Sequence, residues 1–160
     1  MSVQIRQASP EDAKECGRIC HDAFAALANH HRFPPDFPSV DIAVEAVSGL
    51  IAHPGFFAVV AEDGGRIVGS NFLDERSVIR GVGPITVDPD VQNRRIGLAL
   101  MDAVLQRGAQ QRVPGVRLLQ SAYHNRSMCL YAKLGFDVRE PFAVMNSPGS
   151  NAASPSCRYQ

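Results

Sequence analysis

A short basic segment between two regular patterns is the part of the sequence best suited to chemistry. Arg94 and Arg95 precede Ile96 and Gly97, and an apolar helical pattern follows as far as Leu105. The first turn of a helix has backbone N–H groups without partners and carries partial positive charge, so an anion is stabilised there. Glycine allows a ligand to approach the backbone, and the arginines add positive charge. The segment predicts a phosphate-type anion site, with an ordinary solvated turn as the alternative.

Composition places the chain among single-domain globular proteins. Its 160 residues are 45% hydrophobic, which is enough for a substantial core. The 16 Lys and Arg residues balance 16 Asp and Glu residues, so the overall charge predicts binding to neither nucleic acid nor an anionic membrane. An anion site must therefore be local. No apolar run approaches the roughly 20 residues that span a bilayer, and the start lacks a signal-peptide segment, so we expect a cytoplasmic protein.

The cysteines and histidines do not form a recognisable metal or disulfide pattern. Cys16 and Cys20 would share a helix face, Cys129 lies in another helical pattern, and Cys157 lies in a polar tail. These spacings match neither a zinc site nor a disulfide framework, so we expect reduced thiols. The five histidines have no convincing ligand spacing. We therefore expect no metal.

The remaining sequence predicts a mixed α/β (α+β) fold that has to position the basic segment. Three prolines make residues 29–40 irregular, either as a mobile lip over a pocket or as a packed connector. Because Pro84 cannot donate a ladder hydrogen bond, we expect a bulge or break there, and an opening that an extended ligand could pair with. Periodicity and turn residues predict strands at 3–8, 56–61, 67–73, 82–87, 116–119 and one or two within 136–145, and helices at 9–28, 41–52, from 96 onward and at 125–134.

The end of the chain differs in composition from the rest. From Asn146 onward the residues are mostly Ser, Pro, Gly, Asn and Ala, as in a linker. We expect one domain over residues 1–146 and a disordered tail or linker over 147–160.

Two blocks, in this order, resemble the GNAT superfamily of N-acetyltransferases. The first is the strand 85–89 followed by the segment 92–99, and the second is Leu130-Tyr131-Ala132-Lys133-Leu134-Gly135-Phe136. The resemblance covers roughly residues 3 to 146, and the element order fits it. It implies a GNAT-like fold, with a central mixed sheet of about six to seven strands, flanked by about four helices and opened near the fourth strand for CoA.

The resemblance also implies that the chain binds acetyl-CoA. In the family the pantetheine arm lies along the fourth strand, on backbone groups equivalent to those of Ile85 and Val87. The diphosphate lies on the turn equivalent to residues 93–98, which is the anion site described above. The implied cofactor-binding residues are Ile85, Thr86, Val87, Gln92, Asn93, Arg94, Arg95, Ile96, Gly97, Leu98, Ala99, His124 and Asn125.

Arg95 is a departure from the family pattern, which usually has glycine at this position. If the residue is helical, its side chain points outward at little cost and can help to hold phosphate. If the position needs a positive φ or close backbone contact, the side chain is an obstruction. We expect binding to survive, because every residue except proline supplies a backbone N–H.

Tyr131 is the candidate catalytic residue that the resemblance implies. A phenol beside the thioester sulfur can protonate the thiolate as it leaves. Met128 and Leu134 place Tyr131 on a stripe that would equally suit a core position. The family often has a cofactor-contacting asparagine seven residues before this tyrosine. That position is His124 here, with Asn125 next to it; which of them takes the role is open, and either could cap the helix instead.

A general base is harder to assign from the sequence. Attack by the amine requires the loss of a proton, which a carboxylate or a water chain can accept. Glu75, between the third and fourth strands, is the first candidate, followed by Asp74 and His124. Each of them would also fit a solvated or capping position.

Together these patterns predict an N-acetyltransferase that moves acetyl from acetyl-CoA to a primary amine of a small molecule or peptide by direct attack in a ternary complex. Tyr131 and Glu75 are its expected catalytic residues. The alternative is a non-catalytic acyl-CoA-binding or regulatory domain of a longer protein. The expected partners are acetyl-CoA, the amine acceptor and, as a candidate assembly, a second copy in a homodimer. The neutral charge and the missing Walker-type lysine disfavour a nucleotide-binding or nucleic-acid protein.

Overall fold

The computed structural model describes residues 3–143, so the expected tail at 147–160 and the boundary at 146 lie outside the described residues. None of the helices in this range has the length and apolar composition needed to cross a membrane. The elements are β1 (Gln4–Gln7), α1 (Ala13–His31), α2 (Val40–Ala52), β2 (Phe56–Asp63), β3 (Arg66–Asp74), β4 (Arg80–Val82), β5 (Thr86–Val87), α3 (Ile96–Gln110), β6 (Val116–Leu118) and α4 (Asn125–Lys133).

Within residues 3–143, six strands form one mixed sheet. Its order is β1-β2-β3-β4-β6, and β5 pairs with β3 beside this path. The pairs are antiparallel except for β4 and β6, which run parallel. Together with the four helices of the same range, this sheet confirms the mixed α/β fold that the sequence predicts.

Two apolar layers cover the faces of the sheet, because β2 is buried on both sides. Val59 and Ala61 pack with Leu100 and other residues of α3. The alternate residues Ala58 and Val60 pack with α1 and α2 on the opposite face. Successive strand residues point to opposite faces, so an uninterrupted apolar strand needs a helical layer on each side. This arrangement places α3 on one face and the α1–α2 pair on the other.

The first helix runs to His31, three residues beyond its predicted end. Arg32 takes a left-handed conformation with φ 58°. Its N–H bonds the Asn29 carbonyl at 3.3 Å, and the N–H of Phe33 bonds the Ala28 carbonyl at 2.9 Å. This pair of bonds is the Schellman arrangement, which satisfies the last carbonyls of a helix. It also fixes where Phe33 emerges from the helix.

The prediction of a closing strand is wrong for residues 136–143, which contain no regular secondary structure. Val138 and Phe142 are 83% and 71% exposed there. Pro141 cannot donate a ladder bond. Phe136 packs against the α3 layer, but the rest of the strand-like apolar pattern, Val138 and Phe142, stays exposed. Residues 144 and 145 lie outside the described range.

The three cysteines within the described residues are free thiols. Cys16 and Cys20 are buried in the α1 layer, and burial raises the pKa of each thiol to about 12. They therefore stay protonated and act as small apolar side chains. Cys129 is exposed, and Cys157 lies outside the described range.

Candidate active site

The sheet opens where β4 gives way to β5. β4 pairs with β6 through Val82, whereas β5 pairs only with β3 among the described residues. The chain takes four residue steps from Val82 to Thr86, while their partners on β3, Leu73 and Ser70, lie three apart. One extra residue on one strand defines a bulge. The break predicted at Pro84, which follows a cis peptide bond here, is therefore confirmed, and the edge of β5 opposite β3 has no strand partner in residues 3–143.

A buried carboxylate anchors the turn that leads from β5 to α3. Asp88 accepts a hydrogen bond of 3.0 Å from the N–H of Asp90. Its side chain is 5% exposed and lies 3.4 Å from Arg18 and 3.7 Å from Arg66. A buried carboxylate requires such partners. The network holds the start of the turn against α1 and β3.

The first turn of α3 presents unpaired backbone donors. Arg95 is the N-cap residue and makes no side-chain cap bond. The first bond of the helix runs from the Ala99 N–H to the Arg95 carbonyl at 3.1 Å. Among residues 3–143, the N–H groups of Ile96, Gly97 and Leu98 therefore have no hydrogen-bond partner. At the positive end of the helix dipole, such donors suit an anion.

Gly97 lies where α3, β5 and α4 meet. A Cβ added to it would lie 3.4 Å from Leu130 Cδ2 on α4 and 3.9 Å from Val87 Cγ2 on β5. Both are ordinary contacts, so a methyl group would fit. Gly97 therefore lies beside Val87 of β5, where the sheet opens, and carries one of the three unpaired donors.

Two other arginines at the turn have partners. Arg94 forms an ion pair of 2.9 Å with Asp63 at the end of β2. Arg126 on α4 donates to the side-chain oxygens of Gln92 at 2.6 Å and Asn93 at 2.7 Å. Arg126 was not among the residues predicted from the sequence, because it lies 33 residues from Asn93. Its contacts tie α4 to the turn and bring a further cation there.

Arg95 is not helical but has a positive φ, which is the second of the two conformations considered from the sequence. Its φ is 61°, a left-handed conformation that glycine adopts freely and other residues adopt at a cost of about 1–2 kcal/mol. This explains why the family favours glycine here. The side chain is exposed, and among residues 3–143 no salt bridge reaches it. Arg95 thus supplies an uncompensated charge beside the unpaired donors.

Tyr131 lies on α4 with its side chain in the α3 layer. It is 9% exposed and belongs to the same apolar cluster as Ile96 of the first turn of α3. Its ring packs edge to face on Phe136, with 6.1 Å between centroids. Burial raises the pKa of the Tyr131 phenol, and the nearby Ser127 hydroxyl acts in the opposite direction. The phenol therefore keeps its proton at neutral pH, which an acid requires.

His124 and Asn125 stand at the start of α4. His124 is the N-cap residue but makes no side-chain cap bond; its Nδ1 lies 2.5 Å from Ser127 Oγ. Burial lowers the pKa of the His124 ring, with smaller contributions from Arg126 and His31. Asn125 is exposed, and its N–H bonds the Tyr123 carbonyl at 3.1 Å. Of these two, His124 is the one whose side chain contacts a residue inside α4, Ser127.

Glu75 and Asp74 are held by other partners. Glu75 accepts hydrogen bonds of 2.8 Å from both Arg107 and Gln111, and Arg107 holds the pKa of the Glu75 carboxyl below its usual range. Arg107 is ten residues beyond Gly97 on α3, which is about 15 Å along a helix. Asp74 pairs with Arg76 at 2.7 Å, which lowers the pKa of Asp74 to about 2. The structure thus makes both carboxylates weaker bases and places Glu75 at the far end of α3.

An aromatic cluster borders His124 on the side of α1. The Phe33 ring stacks on Tyr123 with 4.7 Å between centroids and 15° between planes, and His31 lies 4.7 Å from the same ring. Phe33 is 52% exposed. Farther along the segment, Phe37 packs into the α1–α2 layer. Residues 29–40 therefore form a packed connector at these two points, and Tyr123 is a contact that sequence reasoning did not identify.

Comparison with known proteins identifies the family and the fold. The sequence model of the acetyltransferase (GNAT) domain matches residues 54–138, more than half of the chain. That range contains the opened strand, the α3 turn and α4. No curated protein matches the sequence significantly.

Several solved structures have the same fold at low sequence identity. An aminoglycoside acetyltransferase from an uncultured soil metagenomic sample is 22% identical, with a TM-score of 0.66 over 94% of this chain and 100% of that one. A ribosomal-protein-alanine N-acetyltransferase from Brucella melitensis is 17% identical, with a TM-score of 0.69 over 92% and 100%.

The aminoglycoside N-acetyltransferase AAC(6')-Iy in complex with CoA is 14% identical, with a TM-score of 0.72 over 91% of this chain and 95% of that one. At these identities the structural likeness establishes the fold, and the matching sequence model establishes the family. The chain belongs to the GNAT acetyltransferase family.

Proposed function

We propose that the protein is an N-acetyltransferase that moves an acetyl group from acetyl-CoA to a primary amine by direct attack in a ternary complex. One observation carries the proposal. The opening beside β5, the unpaired donors of α3 and the buried phenol of Tyr131 lie close to one another. A Cβ built on Gly97 would lie 3.9 Å from Val87 of β5, and Tyr131 shares an apolar cluster with Ile96 of the same turn. An acyl-thioester with a diphosphate needs these three features together.

The residues at the α3 turn fit a diphosphate. The N–H groups of Ile96, Gly97 and Leu98 supply donors without competing partners. Arg95 adds a free charge, and Arg126 can exchange its amide partners for a stronger charge-assisted bond to phosphate. The other segments of the predicted cofactor site, along 85–87 and at 124–125, are proposed on the family resemblance and on the open edge of β5.

Tyr131 is proposed as the acid of the reaction. When bound, acetyl-CoA supplies an activated acyl group whose departing sulfur needs a proton. Tyr131 remains protonated at neutral pH because burial raises its pKa. A neutral phenol in an apolar site can donate to a developing thiolate as the amine attacks. The surrounding apolar cluster limits access of water to this step.

The acceptor is proposed only as a primary amine of a small molecule or peptide. The structural relatives include enzymes named for aminoglycosides and for the alanine of a ribosomal protein, so the fold accepts chemically different amines. Function in the cytoplasm and assembly as a homodimer stay predictions from the sequence.

Turnover by the wild type and by Tyr131→Phe tests the activity. Release of the CoA thiol is measured over a panel of amines, and binding of acetyl-CoA is measured separately by calorimetry. We expect the wild type to turn over with at least one amine, and Tyr131→Phe to lose about 100-fold or more in kcat with unchanged acetyl-CoA affinity, since one acid typically contributes that much. A wild type that binds acetyl-CoA but acetylates no amine would contradict the proposal.

That negative result would favour the alternative of a non-catalytic acyl-CoA-binding domain. One observation supports this alternative: Glu75 and Asp74, the carboxylates first considered as the base, are both ion-paired. If the protein is an enzyme, another group has to accept the proton of the amine.

A further inference from the structure

Three polar side chains form a continuous line along α4. His124, Ser127 and Tyr131 are spaced by three and four residues, which places them on one face of a helix. Ser127 Oγ lies 2.5 Å from Nδ1 of His124 and 3.3 Å from Nε2. Ser127 also lies one helical turn before Tyr131 and lowers the pKa of its phenol. The hydroxyl of Ser127 therefore lies between an imidazole and the phenol along this face of the helix.

The two ends of this line have different surroundings. Tyr131 is buried in the α3 layer, whereas His124 is partly exposed and borders His31 and Tyr123. His124 lies six residues after Leu118, the last residue of β6, which pairs with Val82 just before the sheet opens. One end can thus meet the leaving sulfur while the other can meet the incoming amine.

We propose that His124, Ser127 and Tyr131 form a proton relay that carries the proton of the attacking amine to the departing thiolate. The inference rests on the proposed acetyl transfer. Within it, His124 acts as the base, Tyr131 acts as the acid, and Ser127 positions both and passes the proton between them.

The relay balances in atoms and charge. The amine nitrogen forms a bond to the acetyl carbon, and the carbon–sulfur bond breaks. His124 takes the amine proton on Nε2 and gives the proton of Nδ1 to Ser127 Oγ. Ser127 gives its own proton to the Tyr131 oxygen, and Tyr131 gives its proton to the thiolate. Each side chain ends neutral, and the amine proton has been exchanged for a thiol proton.

The relay requires His124 to be neutral at the start. The charged groups that face it are Arg126 on its own helix and His31 from α1, and both act together with burial to lower its pKa below the ordinary value of 6.5. At neutral pH His124 therefore holds one proton and has one free nitrogen. Catalysis should fall as pH drops through the pKa of His124, because the protonated ring cannot accept the amine proton.

Ser127→Ala and Ser127→Thr form the test and its control. At saturating acetyl-CoA and amine, we expect Ser127→Ala to lower kcat about 10- to 100-fold, because it removes one assisted proton transfer. Its KM for acetyl-CoA should not change. Ser127→Thr keeps the hydroxyl and should stay within a few-fold of the wild type. His124→Gln should lose the acid limb of the pH profile that the wild type has below pH 6.5.

A second readout needs no cofactor. The phenolate absorbance of Tyr131, identified by difference with Tyr131→Phe, should titrate at a higher pKa in Ser127→Ala, because the hydroxyl that lowers this pKa is gone. An unchanged titration would overturn the relay. A wild type that turns over, with Ser127→Ala matching it in kcat and pH profile, would overturn the relay alone. A wild type that binds acetyl-CoA without any transfer would overturn the proposed function as well.

Discussion

The two ends of α3 use the same unusual backbone for opposite purposes. Arg95 precedes the helix with φ 61°, and Arg112 follows it with φ 54°. At the C-terminal end, the N–H of Arg112 bonds the Ala109 carbonyl at 3.0 Å and the N–H of Val113 bonds the Gly108 carbonyl at 3.2 Å. This Schellman arrangement satisfies the last carbonyls. At the N-terminal end, the turn at Arg95 leaves three donors without partners.

The side chains follow the same contrast. Near the C-terminal end, Glu75 is neutralised by Arg107 and hydrogen-bonded by Gln111. Near the N-terminal end, no salt bridge among residues 3–143 compensates Arg95. An element whose polar groups are satisfied within the protein contributes to stability. An element whose polar groups are left open, at a conformational cost, is available for a ligand.

The largest effect should come from blocking the unpaired N–H groups at the N-terminal end of α3. Gly97→Glu places a carboxylate among the unpaired donors, where it occupies them and repels a diphosphate. We expect acetyl-CoA to stabilise the wild type against heat but not this variant. The folded protein should survive the change, because acidic residues are favourable in the first turn of a helix.

Gly49→Glu is the matched control for this change. Gly49 lies in the last turn of α2, and nothing lies within 4 Å of a Cβ built there. Gly49→Glu therefore introduces the same side chain on a helix to which we assign no ligand. Equal stabilisation of Gly97→Glu and Gly49→Glu by acetyl-CoA would refute the site.

The next largest effect should distinguish Arg95 from Arg112, the two residues with a left-handed backbone that flank α3. Glycine at either position relieves the backbone strain, so we expect Arg95→Gly and Arg112→Gly to raise the free energy of unfolding by similar amounts, up to about 1 kcal/mol each. Only Arg95→Gly should weaken acetyl-CoA binding, by about tenfold, the worth of one charged hydrogen bond. Calorimetry and urea denaturation measure the two quantities. An equal loss of affinity in both variants would remove the distinction between the ends.

The smallest effect should come from breaking the Glu75–Arg107 ion pair near the C-terminal end of α3. Glu75→Gln should lower the free energy of unfolding by about 1 kcal/mol at neutral pH, because Arg107 is partly exposed and screened. The folded-state pKa of Glu75 is lowered, so this contribution is present above the ordinary pKa of 4.5 and is lost as pH falls through the folded value. The difference between wild type and variant should shrink accordingly.

Exposed Glu45 on α2 offers the control, since no salt bridge among residues 3–143 involves it. Glu45→Gln should leave the free energy of unfolding at neutral pH unchanged. Glu75→Gln should also keep the wild-type kcat, because His124 carries the base role in this account. A large loss of kcat with unchanged stability would instead restore Glu75 as the base predicted from the sequence.

Local patterns predicted much of this molecule. The bulge at Pro84 was predicted because proline lacks a backbone N–H. The start of α3 was predicted because Gly97 opens an apolar pattern of helical spacing. The conflict at Arg95 was visible from the sequence, but only the backbone angle decided between its two alternatives. The strand expected within 136–143 failed because alternation alone does not supply a partner edge.

Contacts between distant residues could not be predicted. The pairing of Arg107 with Glu75 spans 32 residues, and that of Arg126 with Asn93 spans 33. Glu75 could have met many basic side chains in a balanced chain, and Arg126 could have met many acidic or amide side chains. Ser127 carried no signal of its own, and its position between His124 and Tyr131 appears only once α4 is placed.

A crystal structure of the protein with acetyl-CoA tests the central claim most directly. We expect the diphosphate to lie within hydrogen-bonding distance of the N–H groups of Ile96, Gly97 and Leu98. The thioester sulfur should lie beside the Tyr131 hydroxyl. Acetyl-CoA bound elsewhere, with these three donors still unpaired, would contradict it.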